Sequence, residues 1–141
     1  MLQHRDSFSH STNEITANPA ILYDHSIPID QMKLKGVGFG DGEAAISDRR
    51  VMDRGMNGWI MCRDGCRYRV DGGAVVVLGV WDASIIEKLR IESPADIEAR
   101  FGKAEKVEDA DPVQIYRYNG GKVSVLWNKQ EKQVNAVNLT R

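Results

Sequence analysis

The sequence predicts an α+β fold: an antiparallel sheet of about six or seven strands, built from two related helix-plus-meander units, with the helices packed on one face. Short apolar runs separated by Asp-Gly and Asn-Gly turns are typical of β-hairpins. Ser93 and Pro94 stand where a helix N-terminus needs them. One hairpin sequence also occurs twice in the chain. Together these features favour hairpins and helices over a parallel βαβ arrangement.

Chain length and composition indicate one globular domain. The 141 residues are 42% hydrophobic and 28% charged, and a chain of this length buries a core without disulfides or metals. Residues 1–20 are rich in Ser, Asn, His and Thr, without apolar periodicity, and are predicted to form a flexible tail. Residues 21–141 are expected to form the domain.

The strand signals are strongest in the middle of the chain. Residues 59–62 and 66–70 flank an Asp-Gly turn, and the run 74–81 is apolar on both faces, which is typical of a central strand. Three further strands are predicted at 113–118, 122–127 and 133–139. The predicted core consists of apolar residues from these strands and from the helices: Ile46, Ile60, Val75, Val77, Leu78, Val80, Ile97, Phe101, Ile115, Val123, Val125, Leu126, Val137 and Leu139.

Two helices are predicted, one before each β unit. Residues 42–54 place apolar side chains on one side and arginines on the other. Residues 93–102 begin with Ser93 as cap and Pro94 at the first helical position, and they end at Gly102. An acidic loop is expected at 105–111.

An internal match indicates duplication. Residues 68–78 and 116–126 align without gaps and are identical at seven of eleven positions. Hairpins with Gly-Gly turns resemble one another for physical reasons alone. However, the shared Tyr-Arg before the turn and Val-x-Val-Leu after it favour a true duplication, with units of about 32–82 and 87–141.

The second half of the chain carries a family resemblance. The segment Ser-Pro-Ala-Asp-Ile-Glu-Ala-Arg-Phe-Gly-Lys-Ala at 93–104 precedes an acidic loop, an aromatic strand, a Gly-Gly turn and two closing strands. This order resembles the helix-plus-meander modules of the small-protein-A outer-membrane lipoproteins and of β-lactamase inhibitory protein. The resemblance implies a non-enzymatic module that binds another protein on its sheet face.

Charge and hydropathy argue against nucleic-acid and membrane binding. The net charge is −1, and the longest apolar run, 74–81, is only of strand length. The first residues lack the apolar core of a signal peptide, so a cytoplasmic location is expected. Residues 33–69 hold eight bases and five acids (+3), and residues 71–111 hold five bases and ten acids (−5). This asymmetry fits either a solvated mixed surface or two faces of opposite sign.

No cofactor or metal is expected. Residues 40–45 fit the pattern G-x-G-x-x-A, but a dinucleotide site needs that pattern between a parallel strand and a helix, whereas the following strands are predicted to form hairpins. Cys62 and Cys66 flank a hairpin loop, where a cross-strand disulfide is sterically allowed, although the cytosol would keep the thiols reduced. All three histidines precede residue 26, which leaves no metal-ligand cluster.

The candidate partner-binding residues lie near the second hairpin. Trp127 ends the predicted strand 122–127, where polar residues begin, and is expected to be half-exposed. Beside Tyr116, Arg117 and Tyr118 on a sheet it would make a protein-binding anchor. The acids Asp109 and Asp111 add charge to the same region.

The leading functional prediction is a cytosolic binding protein that occludes one protein partner, most concretely an immunity or inhibitor protein, with a co-encoded toxin as an example of the partner. One alternative is an enzyme whose site assembles from scattered charges such as Asp82, Glu87 and Arg117. The other is an assembly factor that self-associates through its sheet.

Overall fold

One antiparallel sheet of eight strands dominates the structure, a computed structural model described for residues 13–141. The strand order is β3-β4-β5-β6-β10-β9-β8-β7. The strands are β3 (Val51–Arg54), β4 (Trp59–Cys62), β5 (Cys66–Asp71), β6 (Ala74–Val80), β7 (Lys106–Ala110), β8 (Val113–Tyr118), β9 (Val123–Asn128) and β10 (Gln133–Thr140).

The remaining elements are short. β1 (Lys33–Leu34) and β2 (Val37–Gly38) form a separate two-stranded sheet. The α-helices are α1 (Ala83–Glu87) and α2 (Pro94–Phe101). Five single 3₁₀ turns occur in residues 13–141, at Pro19–Leu22, Ile29–Gln31, Glu43–Ala45, Met56–Gly58 and Asn119–Gly121.

Side-chain caps fix the start of both helices. The carboxylate of Asp82 accepts the backbone N–H of Ser84 at 2.8 Å before α1, and the hydroxyl of Ser93 accepts that of Asp96 at 3.4 Å before α2. Each cap satisfies a backbone donor that has no partner inside the helix. The predicted start of α2, and its end at Gly102, are confirmed.

The sheet consists of two consecutive four-stranded runs joined by one ladder. Strands β3 to β6 follow one another across one half, and β7 to β10 do so across the other. Strand β6 pairs with β10, with Leu78 opposite Leu139 and Gly79 opposite Asn138. Side chains alternate along a strand and register partners share a face, so this ladder aligns the two faces across the full sheet.

One face of the sheet is covered and forms the core. A register-aligned row crosses it, and all its members are buried: Ile60, Tyr68, Leu78, Leu139, Val123 and Tyr118. Residues 13–46 cover the first half of this face, where Leu34 is fully buried. Helix α2 covers the second half, where the ring of Phe101 lies 5.8 Å from that of Tyr118. We call the opposite side of the sheet the open face, because its strand side chains are largely half-buried.

The predicted fold class is wrong in its organisation, although the antiparallel sheet and the α+β character are present. The sheet has eight strands, and within residues 13–141 no α-helix precedes the first run. Residues 42–54 form a 3₁₀ turn at Glu43–Ala45 and strand β3 instead. The two units are therefore not both helix-plus-meander modules. The expected acidic loop is largely strand β7, which pairs with β8 at the sheet edge.

The repeated hairpins are not equivalent in the structure. Tyr68 pairs with Leu78, whereas Tyr116 pairs with Val125. A register shift in the first hairpin, between Arg69 and Val70, accounts for this difference. Strand β10, which lies between the two hairpins, follows β9, whereas helix α1 follows β6.

The part of the predicted tail that the structure describes is packed. Ile15 is fully buried, and the carboxylate of Glu14 accepts the backbone N–H groups of Lys35 and Gly36 at 2.9 and 2.6 Å. Residues 1–12, the rest of that predicted tail, lie outside the described residues. The predicted core residues are buried, except that Ile115 and Leu126 are half-buried on the open face.

No helix within residues 13–141 is long and apolar enough to cross a membrane.

A polar cluster is enclosed beneath the β4–β5 hairpin. The guanidinium of Arg50 donates to Asp64 at 2.7 Å and to the hydroxyl of Tyr68 at 2.8 Å. That hydroxyl in turn donates to the carbonyl of Leu34 at 2.7 Å, which ties the covering segment to the sheet. Burial raises the pKa of Cys66 to about 12, and it also raises the pKa of Tyr68.

Replacing Tyr68 with Phe should destabilise the fold by about 1–3 kcal/mol, because the carbonyl of Leu34 and one donor of Arg50 lose their partner. Urea unfolding measures the change. Tyr23→Phe is the matched control, since the Tyr23 hydroxyl makes no hydrogen bond within the described chain; its effect should stay within about 0.5 kcal/mol. Equal effects of the two variants would contradict the role of the cluster.

Stability should fall as the pH rises from about 9 to about 12. The pKa of Cys66 is higher in the folded protein, so at these pH values the unfolded chain has lost a proton that the folded chain retains. Its contribution is complete below pH 9 and declines towards pH 12. In a reducing buffer, Cys66→Ser should give a shallower decline in the free energy of unfolding. Parallel curves for the variant and the wild type would exclude this cause.

Candidate functional site

A register-aligned row of mostly polar residues crosses the whole open face, and we call it the polar row. Each neighbouring pair is a register partner in adjacent strands, so all these side chains lie on one side of the sheet. From β3 to β7, the row contains Asp53, Met61, Arg67, Gly79, Asn138, Ser124, Arg117 and Lys106.

Arg67 is held flat against the sheet. Its Nε and Nη2 donate to Oδ1 of Asn138 at 3.1 and 3.0 Å, and the two side chains meet over Gly79 of β6, the strand between β5 and β10. Its guanidinium carbon lies 5.4 Å from the centre of the Trp59 ring, in cation–π contact. Burial lowers the pKa of Arg67, and no carboxylate among residues 13–141 forms a salt bridge with it. The group remains charged at neutral pH.

Gly79 provides the space that this side chain occupies. A Cβ atom at position 79 would lie 2.5 Å from Cγ of Arg67 and 2.6 Å from Oδ1 of Asn138. Gly79 does not have a positive φ, so its backbone does not require glycine. The requirement is therefore steric, because any side chain here would displace the Arg67–Asn138 pair.

Arg117 reaches the centre of the row from the other half of the sheet. Its Nη1 donates to Oγ of Ser124 at 3.2 Å, and its Nε lies 3.2 Å from Glu108. Lys106 is 3.1 Å from the same carboxylate. These two cations hold the pKa of Glu108 below its usual value, Arg117 having the larger effect. Arg117 thus has a carboxylate partner within the protein, which it shares with Lys106, whereas Arg67 has none among residues 13–141.

The two arginines end on adjacent residues. Asn138 is the register partner of Ser124, so the guanidinium groups approach the same part of the sheet from opposite sides. Because Oδ1 of Asn138 already accepts from Arg67, what the centre of the row presents outward is chiefly donors. Such a set can bind an anionic oxygen group.

Apolar side chains border this centre. Trp59, Met61, Ile115 and Leu126 are half-buried on the open face. A groove of about 880 Å³ continues from Arg67 and Leu126 towards α1, where Trp81 is 38% exposed. Tryptophan, methionine and arginine are the residue types enriched in protein–protein interfaces, so this surface suits recognition of a protein partner.

A second cavity of about 550 Å³ lies on the covered side of the sheet. It is bounded by residues 22–32, by the rings of Phe101 and Tyr118, and by Arg141. It does not include the polar row.

The structure separates most of the predicted partner-binding residues. Tyr116, Tyr118 and Trp127 are only 6%, 5% and 4% exposed, and they face the core. Trp127 is therefore not the half-exposed anchor that the sequence suggested. Arg117 lies on the opposite side, because strand residues alternate between faces. Adjacency in sequence was mistaken for adjacency in space, and the alternation Tyr-Arg-Tyr is the signal that would have separated them.

The two predicted acids lie at one end of the edge strand. Asp109 and Asp111 are 2.9 and 3.2 Å from the ammonium of Lys129. They share this cation and are not part of the polar row. Whether they contact a partner stays a prediction.

The predicted site residues do not include Trp59, Arg67, Gly79 or Asn138. Arg67 and Arg69 flank Tyr68 in β5, and this alternation is a signal that could have placed both arginines on the face opposite the core. The pairing of Arg67 with Asn138, which are 71 residues apart in sequence, had no local signal.

The other sequence candidates form no common site. Asp82 caps α1, Glu87 borders the groove, and Arg117 lies in the polar row. Within the described range, no group of three or more His, Cys, Asp or Glu side chains is placed to hold a metal. Cys62 and Cys66 are both buried free thiols. Residues 40–45 pair by backbone hydrogen bonds with Val75 and Ala74 of β6 rather than forming a phosphate loop before a helix.

Comparison with known proteins gives one distant structural likeness. The crystal structure of a DUF4309 family protein (YjgB) from Bacillus subtilis subsp. subtilis str. 168 is similar over 72% of this chain and 72% of that chain, with a TM-score of 0.43 and 14% sequence identity. A likeness of this degree carries no argument about function. No family model matches the chain, and no curated protein matches it.

Proposed function

We propose that this protein is a non-enzymatic binding module that holds one protein partner on its open face. In its most concrete form it is an immunity-type or inhibitor-type protein that neutralises the partner by covering the surface through which the partner acts. The residues proposed to make contact are Trp59, Met61, Arg67, Arg69 and Leu126.

The observation that carries this proposal is the unneutralised positive charge on one half of the open face. Arg67 is bound by the neutral Asn138, and Arg69 donates to the backbone carbonyl of Asn57 at 3.0 Å. Neither forms a salt bridge within residues 13–141. Trp59 lies beside both, as the register partner of Arg69 and the cation–π partner of Arg67. Tryptophan and arginine are the residues most enriched at interface hot spots.

The pKa shifts of the carboxyl groups favour a binding function over acid–base catalysis. Every carboxyl group between residues 13 and 141 whose pKa departs clearly from its usual value is shifted downward. Hydrogen bonds or nearby cations stabilise the charged form in each case. A general acid at neutral pH needs a pKa raised by burial or by a like charge.

The second half of the chain adds further support. Helix α2 followed by strands β7 to β10 keeps the helix-plus-meander order that resembles the small-protein-A and β-lactamase inhibitory protein modules. That resemblance implies binding on a sheet face, which is the kind of contact proposed here; of the proposed contact residues, Leu126 lies in this half.

Partner capture from the native cell tests the proposal through paired variants. The tagged wild type should retain one stoichiometric protein, and Arg69→Glu or Trp59→Ala should reduce its affinity by about thirtyfold, as expected for hot-spot residues. Lys103→Glu is the matched control, because it makes the same charge change at an exposed position just after α2. It should capture the partner as the wild type does.

Two results would contradict the proposal: equal capture by all four proteins, or no stoichiometric partner at all. The inhibitor form requires more, namely that the purified partner loses its activity in an equimolar mixture with the wild type but keeps it with Arg69→Glu. A mass that doubles with concentration, and does not double in Arg69→Glu, would assign the open face to self-association instead.

A further inference from the structure

We infer that Arg67 and Asn138 form a receptor for a single carboxylate, so that the partner is a protein with an acidic segment whose Asp or Glu side chain docks at the centre of the polar row. This inference rests on the proposed function and specifies the chemistry of the partner.

Arg67 is preorganised for binding. Two of its nitrogens are fixed by Oδ1 of Asn138, and its guanidinium is in contact with the ring of Trp59. The gap at Gly79 lets the side chain lie flat. An arginine held in this way loses little conformational entropy on binding, and its planar fork matches a carboxylate.

Arg67 and Asn138 each carry a hydrogen-bond donor that has no acceptor within the described chain. Nη1 of Arg67 makes no hydrogen bond within the described chain, and neither does the side-chain amide nitrogen of Asn138. No buried side-chain polar atom in this range is left unsatisfied, so these donors are accessible to solvent. A ligand that completes the site must therefore supply acceptor atoms, and a carboxylate supplies two on one side.

The charged groups near the centre of the row favour a ligand with a single negative charge. Glu108 pairs with both Arg117 and Lys106 on one side of Ser124, whereas no carboxylate among residues 13–141 forms a salt bridge with Arg67. One unpaired guanidinium matches a monoanion. A phosphate dianion would keep one charge without a partner at Arg67, so the count of charge favours a carboxylate.

The surroundings of the centre indicate the source of the carboxylate. The centre is bordered by Trp59, Met61 and Leu126 and lies where the groove, which is open to solvent, begins at Arg67. A free small acid would leave that apolar border in water. A peptide segment buries the border and delivers the carboxylate together.

Side-chain NMR of the isotopically labelled full chain tests this inference without the natural partner. The probe is a twelve-residue peptide rich in Asp and Glu, and its control has Asn and Gln at those positions. The acidic peptide should shift the Nε–H signal of Arg67 and the amide signals of Asn138 saturably. The control peptide should bind at least about tenfold more weakly.

Three variants show whether affinity for the acidic peptide depends on the geometry of the Arg67 guanidinium or only on its charge. Arg67→Lys keeps the charge and loses the fork, and Gly79→Ala keeps Arg67 but displaces it; each should weaken the acidic peptide about tenfold. Lys103→Gln, which removes a distant exposed charge, should bind as the wild type does. If Gly79→Ala fails to fold, Arg67→Lys still decides the question.

Three outcomes would overturn the carboxylate receptor: no shift at Arg67, unchanged affinity in Arg67→Lys, or inorganic phosphate that shifts Arg67 as strongly as the peptide. The two proposals can fail separately. Partner capture that needs Trp59 and Arg69 but tolerates Arg67→Lys would keep the binding function and reject the receptor. Binding of the acidic peptide at Arg67 without any captured partner would support the receptor and reject the binding function.

Discussion

The ladder between β6 and β10 joins two four-stranded runs, and among residues 13–141 no other strand pairing connects them. Leu78 opposite Leu139 continues the buried row of the core, and Gly79 opposite Asn138 continues the polar row on the other face. A slip of one residue here would exchange the two faces of one half relative to the other. The burial of Leu78, Val80, Val137 and Leu139 opposes such a slip, so the core fixes the register on which the open face depends.

Strand alternation then divides the chemistry of the sheet. In β5, Tyr68 enters the core and completes the cluster with Arg50, while Arg67 and Arg69 emerge on the open face. In β8, Tyr116 and Tyr118 enter the core and Arg117 emerges. The hydroxyls of Tyr68 and Tyr118 hold the covering layer by donating to the carbonyls of Leu34 and Gly102. The arginines remain available on the surface.

Local signals were sufficient for the hairpins, for the boundaries of α2 and for twelve of the fourteen predicted core residues, because turn chemistry and helix caps act over a few residues. They failed for 42–54, where an apolar and basic pattern suggested a helix but the segment became a turn and an edge strand. Local signals also carried no information about the order of the strands in the sheet. The pairing of β6 with β10 joins residues about sixty positions apart, and nothing in the local pattern specifies it. The candidate site could not be predicted for the same reason, because Arg67 and Asn138 come together only through that strand pairing.

Charge on the open face is graded rather than uniform, and this gradient has a physical consequence for recognition. On the β7–β8 side, Arg117 and Lys106 share Glu108, so two cations and one carboxylate leave a single positive charge there. On the β4–β5 side, Arg67 and Arg69 have no carboxylate partner within the described chain. An acidic segment that approaches this face is drawn towards one half of it, and reversing the segment would cost favourable contacts.

The same asymmetry disfavours face-to-face self-pairing in which Arg67 and Arg69 of two copies would meet, because like charges would then approach across the interface. An acidic partner bound in one orientation, as proposed, would pair with the guanidinium of Arg67 and cover the exposed ring of Trp81 at the margin of the groove.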